Sequence, residues 1–209
     1  MTCAAYNHFL KAPCIDCGRA IFFAGIYRGD IVPSPYRQLL GIELDRLPST
    51  LRAFHDVETS WRGEALFRVV RGEGWVRNLV AWLGGLPPSG EKVPVILTCT
   101  GAVRGGRRVE QWDRDFNGFR MRSTQWVWRG LLVESFGWLT LGYRLHVEPP
   151  GLRLEVSRAW VAGIPFPLFL APTGEGLEVG DAHGMNIRVS AFAPMLGLIV
   201  RYEGRLNQE

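Results

Sequence analysis

The sequence predicts a mainly β protein of the α+β class. We expect an antiparallel β-meander that curves into a partial or closed barrel, with one or two short covering helices. Three observations predict this fold. Apolar and polar residues alternate with a period of two in much of the chain after Gly63. Gly-containing turns separate the alternating runs. The connections are too short for crossover helices, so successive strands must be antiparallel neighbours, and a sheet this long curls.

The chain of 209 residues fits one domain with an extension. Residues 1–33 hold three of the four cysteines, and the stretch "VPSP" (Val32 to Pro35) marks their boundary with the rest of the chain. We therefore predict an N-terminal extension there. Residues 34–209 then form a single β-rich domain.

Three short helices precede or interrupt the strands. Tyr36, Leu39 and Leu40 predict a helix that ends at Gly41, and a second helix begins after Pro48. The stretch "GWVRNLVAWLGGLPP" predicts an amphipathic helix, with an apolar face that includes Trp75 and Trp82 and with glycines and prolines at its end.

The remaining chain reads as strands joined by turns. The predicted strands span residues 63–72, 93–103, 107–116, 119–128, 131–136, 139–148, 151–162, 184–192 and 196–206.

The stretch "EQWDRDFNGFRMRSTQ" sets the strand register. Asn-Gly is the strongest short signal for a two-residue hairpin, because a type I′ turn needs a positive φ twice. A hairpin at Asn117-Gly118 places Asp113 opposite Arg122 on one face and turns Arg114 towards the other. The following strand, 139–148, alternates apolar and polar residues, so one face of the sheet is dry.

This register turns an unusual set of polar side chains inward. Arg114, Glu134 and Arg158 are expected to lie near one another on the inner face. Buried charges need partners, so the three form either a structural ion pair or the polar anchor of an apolar ligand pocket. An arginine fork suits a carboxylate or phosphate head group, and Glu134 is an alternative acid–base group. Further candidate ligand-binding residues are Trp112, Gln125, Tyr143, Tyr202 and His55.

Charge and hydropathy exclude several functional classes. The net charge is +4, but there is no run of five basic residues, so nucleic-acid binding is not expected. The apolar run "AIFFAGIY" is far shorter than the roughly 20 residues of a spanning helix, and it fits a secretory signal poorly. We therefore expect a protein that contacts a membrane surface at most and does not span it. Four cysteines do not make a disulfide scaffold in a chain of this size, so we expect the protein in the reducing cytoplasm.

Neither a cofactor nor a metal is predicted. Cys14 and Cys17 form a single C-x-x-C pair, and a zinc ribbon needs a second pair at a suitable spacing. The stretch "GEGW" lacks the third glycine of a dinucleotide fingerprint, and no acidic residue ends the next strand. Incidental cysteines, zinc and redox chemistry stay open for the C-x-x-C pair.

Six stretches in order resemble the bacterial domain-of-unknown-function family 4166. They are "LLGIELDRLPSTLRAFH", "RGEGWVRNLVAWLGGLPPSGEKVPV", "QWDRDFNGFRMRS", "LLVESFGWLTLGYRLHVE", "GIPFPLFLAP" and "PMLGLIVRYEGRL". The resemblance implies a domain that often follows an oxidoreductase module of the saccharopine-dehydrogenase-like or short-chain type.

Three functional hypotheses follow from the sequence. The first is a non-catalytic binding module for an apolar or amphipathic small molecule, with a lipid-like or acidic head group on Arg114. The second is a docking domain for an oxidoreductase subunit, with an exposed apolar patch around Trp126 and Trp128. The third is an enzyme that transfers a proton through Glu134 or His55.

Overall fold

The computed structural model describes residues 32–167, 169–171 and 173–208. The predicted extension, except for Val32 and Pro33, and the Cys14–Cys17 pair lie outside these residues. Among the described residues, no helix combines the length and the apolar character needed to cross a membrane.

The described part of the chain is an antiparallel barrel with a few short helices. The helices are α1 (Pro35–Leu40), a 3-10 helix (Gly41–Arg46), α2 (Ser49–His55) and α3 (Trp75–Leu83). The strands are β1 (Ser60–Arg71), β2 (Gly90–Arg104), β3 (Arg107–Phe116), β4 (Phe119–Trp128), β5 (Leu131–Ser135), β6 (Leu139–Glu148), β7 (Gly151–Val161), β8 (Ile164–Phe166), β9 (Thr173–Gly180), β10 (Met185–Ala193) and β11 (Gly197–Gln208).

Ten of these strands close the barrel in the order β6-β5-β4-β3-β2-β1-β11-β10-β9-β7, because β7 also pairs with β6. The short strand β8 pairs with the last three residues of β7. The predicted barrel is therefore confirmed and is closed. The sequence reading missed β8 and β9.

The predicted register around Asn117-Gly118 is confirmed. Both turn residues have positive φ, 52° and 94°, as a type I′ turn requires. Asp113 pairs with Arg122 and Arg114 pairs with Met121. The Asp113–Arg122 ion pair is 3.0 Å long on the outer face, so the ladder of opposite charges lies in solvent as expected.

The first helical segment, which consists of α1, the 3-10 helix and α2, closes one end of the barrel. Ser34 caps α1 by accepting a hydrogen bond from the Arg37 backbone N–H, and Pro35 takes the first helical position. Thr50 of α2 donates to the backbone carbonyl of Asp181 in the β9–β10 turn. The segment buries Tyr36, Leu44, Leu51 and Phe54 against the barrel interior.

Helix α3 lies at the other end of the barrel, in the connection between β1 and β2. Arg77 donates from Nε to the carbonyl of Leu196 in the β10–β11 turn, and Trp138 donates from Nε1 to the carbonyl of Leu83. The helix has the predicted position, but its apolar face does not pack on the sheet. Trp75 and Trp82 are 78% and 72% exposed.

Candidate functional site

The barrel encloses a cavity of about 450 Å³. Its wall is mainly apolar and aromatic. Phe67, Phe116 and Tyr202 contact one another there, with ring centroids 5.6–6.2 Å apart. Tyr36 and Phe54 of the first helical segment also contribute to the wall. A cavity this large and this apolar is typical of small-molecule sites.

Arg114 and Glu134 form the polar centre of the cavity wall. Arg114 donates from Nη2 to Oε1 of Glu134 at 2.9 Å and from Nη1 to Oγ of Ser123 at 2.8 Å. Ser123 in turn donates to the same Glu134 oxygen. The two charged side chains are 14% and 6% exposed. The predicted contact between Arg114 and Glu134 is therefore present, with Ser123 as a third member that the sequence reading did not single out.

The arginine is held in its charged form. Burial lowers the pKa of Arg114, but the charge of Glu134 and the hydrogen bond to it raise the pKa more, so that it lies above its ordinary value. The guanidinium carbon also lies 5.5 Å from the centroid of the Trp112 ring, within range of a cation–π contact. Trp112 thus lies beside the charged pair, as the register predicted.

Three phenols lie near this pair, of which Tyr36 and Tyr202 are buried and Tyr143 is half-buried. Burial, reinforced by the charge of Glu134, raises the pKa of Tyr143 well above its ordinary value. Burial raises the pKa of Tyr202 to about 12, although the charge of Arg114 acts in the opposite direction. The pKa of Tyr36 is also raised, by burial and then by Glu178 and Glu134. All three therefore carry a neutral hydroxyl at physiological pH, and they line the same cavity.

Gln125 is the wall residue with an unused acceptor. It lies opposite Glu134 in the β4–β5 pair and is 3% exposed. Its Oε1 atom has no hydrogen-bond partner among the described residues. A buried amide oxygen without a partner is uncommon in a folded protein, so this atom is an unsatisfied acceptor beside the cavity.

His55 and Glu178 form a second polar pair. His55 Nε2 contacts Glu178 Oε2, and the imidazole packs between Tyr36 and Phe54. Glu178 lines the cavity, whereas the fully buried His55 lies behind it. Sequence reasoning placed His55 among the candidates but missed Glu178, because it did not predict β9.

Arg158 does not join the site, so its predicted inward orientation is wrong. A β-bulge between Gly142 and Tyr143 of β6 leaves Ser157 of β7 unpaired, which reverses the alternation beyond it. Val156 and Val161 line the cavity, and Arg158 is exposed on the outer surface. There it lines a separate cleft with Trp128 and Trp160, whose ring centroids are 5.5 Å apart.

Glu110 is a buried acid on β3, on the same face of the strand as Trp112 and Arg114. It is fully buried, and its carboxylate oxygens form no hydrogen bond of good geometry within the described part of the chain, although the Trp112 and Cys99 side chains lie close enough to lower its pKa. Burial raises the pKa of Glu110 to about 7, with the charge of Arg108 acting against this rise.

No group of three or more His, Cys, Asp or Glu side chains in residues 32–167, 169–171 and 173–208 is placed to hold a metal ion. The predictions about the C-x-x-C pair stay untested, because that pair lies outside these ranges.

Residues 47–206 match the family described as Domain of unknown function (DUF4166). No curated protein and no solved structure matches the chain. The matched range includes Arg114, Gln125, Glu134 and Glu178, whereas Tyr36 precedes it. Because the match covers most of the sequence and confirms the resemblance, this chain belongs to the DUF4166 family.

Proposed function

We propose that the barrel binds one amphipathic small molecule, with its apolar part in the cavity and its polar head group at Arg114 and Gln125. The observation that carries this proposal is an apolar cavity of about 450 Å³ with a buried, hydrogen-bonded arginine in its wall. Ligand pockets in proteins are about 300–1,000 Å³ in volume, mostly apolar, with a few convergent polar groups.

The charges in the wall favour an uncharged head group. Glu134 already compensates the guanidinium charge of Arg114, and Glu175 and Glu178 add two more carboxylates to the lining of the same cavity. A ligand carboxylate would therefore bring a further acid to one arginine. The acidic head group expected from the sequence required a free arginine fork, and Glu134 occupies part of that fork.

A hydroxyl group matches the hydrogen-bonding groups that remain. The bonds to Ser123 and Glu134 use two of the five N–H donors of Arg114. Gln125 Oε1 is a buried acceptor without a partner among the described residues. A hydroxyl accepts from an arginine and donates to an amide oxygen at once, whereas a carbonyl group only accepts. We therefore favour a lipid-like alcohol over a lipid-like acid.

The two other hypotheses from the sequence stay predictions. The patch expected for an oxidoreductase subunit does not form around Trp126 and Trp128, which are half-buried. Proton transfer through His55 required access to the cavity, and His55 lies behind Glu178. Glu134 Oε1 already accepts from two donors, so a substrate proton would have to go to the other carboxylate oxygen.

Fluorescence titration with two polyene lipids of equal chain length, parinaryl alcohol and parinaric acid, tests the proposal. At neutral pH we expect the alcohol to bind at least about tenfold more tightly than the acid, because the acid must lose hydration beside Glu134. Tighter binding of the acid would contradict the head-group assignment. Failure of both probes to bind would contradict the proposal itself.

Variants locate the bound head group. Gln125→Leu keeps the Arg114–Glu134 pair and removes the free acceptor, so we expect about tenfold weaker binding of the alcohol. Arg122→Met is the matched control, because Arg122 lies on the same strand and points to solvent, with a side chain that is 65% exposed. Native mass spectrometry of protein purified from its own host, followed by extraction, would then identify the natural ligand.

A further inference from the structure

Four segments that are separate in the sequence but meet at one end of the barrel contain almost no charged residues. They are residues 75–90, 135–143, 159–174 and 189–200, and the one charged residue among them is Arg77. Charged residues make up 21% of the whole chain, so this depletion is local. The segments contain α3, the β5–β6 and β7–β8 turns and the β10–β11 turn, all at the end of the barrel opposite α2.

These segments also carry most of the exposed apolar surface. Of the twelve large apolar side chains that are exposed in the described part of the chain, nine belong to them. We call these nine the apolar mouth: Trp75, Leu79, Trp82, Leu83, Trp138, Ile164, Phe169, Leu170 and Met195.

Hydrogen bonds join the segments into one surface around the cavity. Trp138 donates to the Leu83 carbonyl, and the Ala162 N–H donates to the Trp138 carbonyl at 2.7 Å. Arg77 links α3 to the Leu196 carbonyl. Trp138 and Leu170 of the apolar mouth also line the cavity, so the exposed apolar surface continues into the interior.

We propose that the apolar mouth docks on the surface of a lipid bilayer and places its tryptophans at the level of the lipid head groups. Trp is enriched at membrane–water interfaces because its ring is amphipathic. Docked in this way, the cavity opens towards the phase in which an apolar ligand is dissolved. Entry of an apolar ligand from the bilayer into the cavity rests on the proposed function, whereas the docking itself does not.

The surface favours a bilayer over a protein partner. Its apolar side chains come from separate turns and one helix around an opening, and Arg77 is the one charged residue in the four segments. A specific protein interface has a polar rim that fixes the partner's orientation. The remaining turn at this end, Asn117-Gly118, carries the mutually paired Asp115 and Arg120.

The charge near the apolar mouth suits anionic lipids. Arg71 donates to the carbonyls of Pro87 and Leu86, and Arg77 donates to those of Glu73 and Leu196. Among the described residues, these bonds go to backbone carbonyls, and neither arginine is paired with a carboxylate. Basic residues beside a membrane surface are attracted to anionic lipids, and the chain has a net charge of +4.

Co-sedimentation with lipid vesicles tests the docking. The full chain is mixed with vesicles of phosphatidylcholine, or of phosphatidylcholine and phosphatidylglycerol in equal parts. We expect it to sediment with both, and more strongly with the anionic vesicles. Phe169→Asp combined with Met195→Asp places two charges in the apolar mouth, where these side chains are 77% and 101% exposed, and should weaken vesicle binding at least about tenfold.

A double variant elsewhere on the surface is the matched control. Ile42 and Leu66 are 82% and 59% exposed but lie outside the apolar mouth, so Ile42→Asp with Leu66→Asp should bind vesicles within about twofold of the wild type. Circular dichroism confirms the fold of both variants.

Three results would overturn the docking. One is a wild-type chain that stays in the supernatant with both vesicles. Another is an equal loss of binding in the two double variants. The third is a wild-type chain that forms dimers through the apolar mouth, seen as dissociation in the Phe169/Met195 variant by sedimentation velocity, while ignoring vesicles. Titration with parinaryl alcohol in the absence of vesicles separates this proposal from the previous one, because it reports on the cavity alone.

Discussion

Arg114 on β3 and Glu134 on β5 meet across the intervening strand β4, with Nη2 of the arginine 2.9 Å from Oε1 of the glutamate. Ser123 of β4 bonds to both. A hydrogen-bonded ion pair therefore joins three consecutive strands from inside the barrel. Its two charges have little contact with solvent, so their mutual contact is what keeps either of them stable there.

Removing one charge of this pair should strongly destabilise the fold. Arg114→Met leaves Glu134 buried without its cation, and we expect the free energy of unfolding to fall by about 3–5 kcal/mol. Urea denaturation measures this loss. The double variant Arg114→Met/Glu134→Leu removes both charges, and we expect it to lie within about 1 kcal/mol of the wild type.

The outer pair Asp113–Arg122 provides the control on the same hairpin. Its side chains are 35% and 65% exposed, so Arg122→Met should lower the free energy of unfolding by at most about 1 kcal/mol. If the losses in Arg114→Met and Glu134→Leu simply add in the double variant, the pair is not coupled and the interpretation is wrong.

Glu110 should make the protein less stable as pH rises. Its pKa is raised from 4.5 in the unfolded chain to about 7 in the fold, mainly by burial. Between these values the folded state binds more protons than the unfolded state, so the free energy of unfolding falls as pH increases from 4.5 to about 7. The shift corresponds to a total loss of about 3 kcal/mol.

The variant Glu110→Gln should flatten this part of the profile. Urea denaturation across the same pH range measures the slope for the variant and the wild type. Glu91→Gln also removes one negative charge, but from a side chain that is 71% exposed, and it controls for net charge. Equal slopes in the wild type and in Glu110→Gln would show that Glu110 is not the titrating group.

The β3–β4 and β4–β5 hairpins and the Arg114–Glu134 contact were predictable from the sequence. Both follow from the positive-φ turns at Asn117-Gly118 and Arg129-Gly130, because a two-residue turn sets the register of the strands beside it. Once the register is known, alternation decides which side chains point inward. The shared face of Arg114 and Glu134 needs no further information.

The rest of the site depends on structural features that neither turn residues nor alternation reveal in the sequence. The bulge opposite Gly142 adds Ser157 to β7, and no turn residue in the sequence marks it. A strict alternation of inward and outward side chains therefore places Arg158 on the wrong face of β7. Strand β9 was missed because its inward positions are Gly174, Gly176, Glu178 and Gly180 instead of apolar residues. The contact between His55 and Glu178 joins residues far apart in sequence, and it forms only when α2 packs into the closed barrel.

The position of Arg158 gives a direct test of the bulge. Because Arg158 lies on the outer surface, Arg158→Met should bind parinaryl alcohol within about twofold of the wild type. Gln125→Leu, in the cavity wall, should bind it about tenfold more weakly in the same titration. A similar loss in both variants would mean that β7 turns Arg158 inward and that the bulge is misplaced.

The glycines of β9 should differ sharply in their tolerance of a methyl group. A Cβ atom at Gly180 would lie 2.9 Å from Thr50 Oγ1 and 3.0 Å from Leu51 Cγ, both in α2. Neither side chain is free to move, since Leu51 is fully buried and Thr50 bonds to the Asp181 carbonyl. Gly180→Ala should therefore push α2 outward and lower the free energy of unfolding by about 1–3 kcal/mol.

Gly176, on the same face of the same strand, is the matched control. A Cβ atom there would make ordinary contacts, the nearest being 3.6 Å from Leu154 Cβ. Gly176→Ala reduces the entropy of the unfolded chain without strain, so it should leave the stability unchanged or raise it by about 0.4–1 kcal/mol. Thermal denaturation of the two variants gives the comparison. If they are equally stable, α2 does not pack against β9 as closely as the structure shows, and the helical closure of the barrel is looser than its geometry indicates.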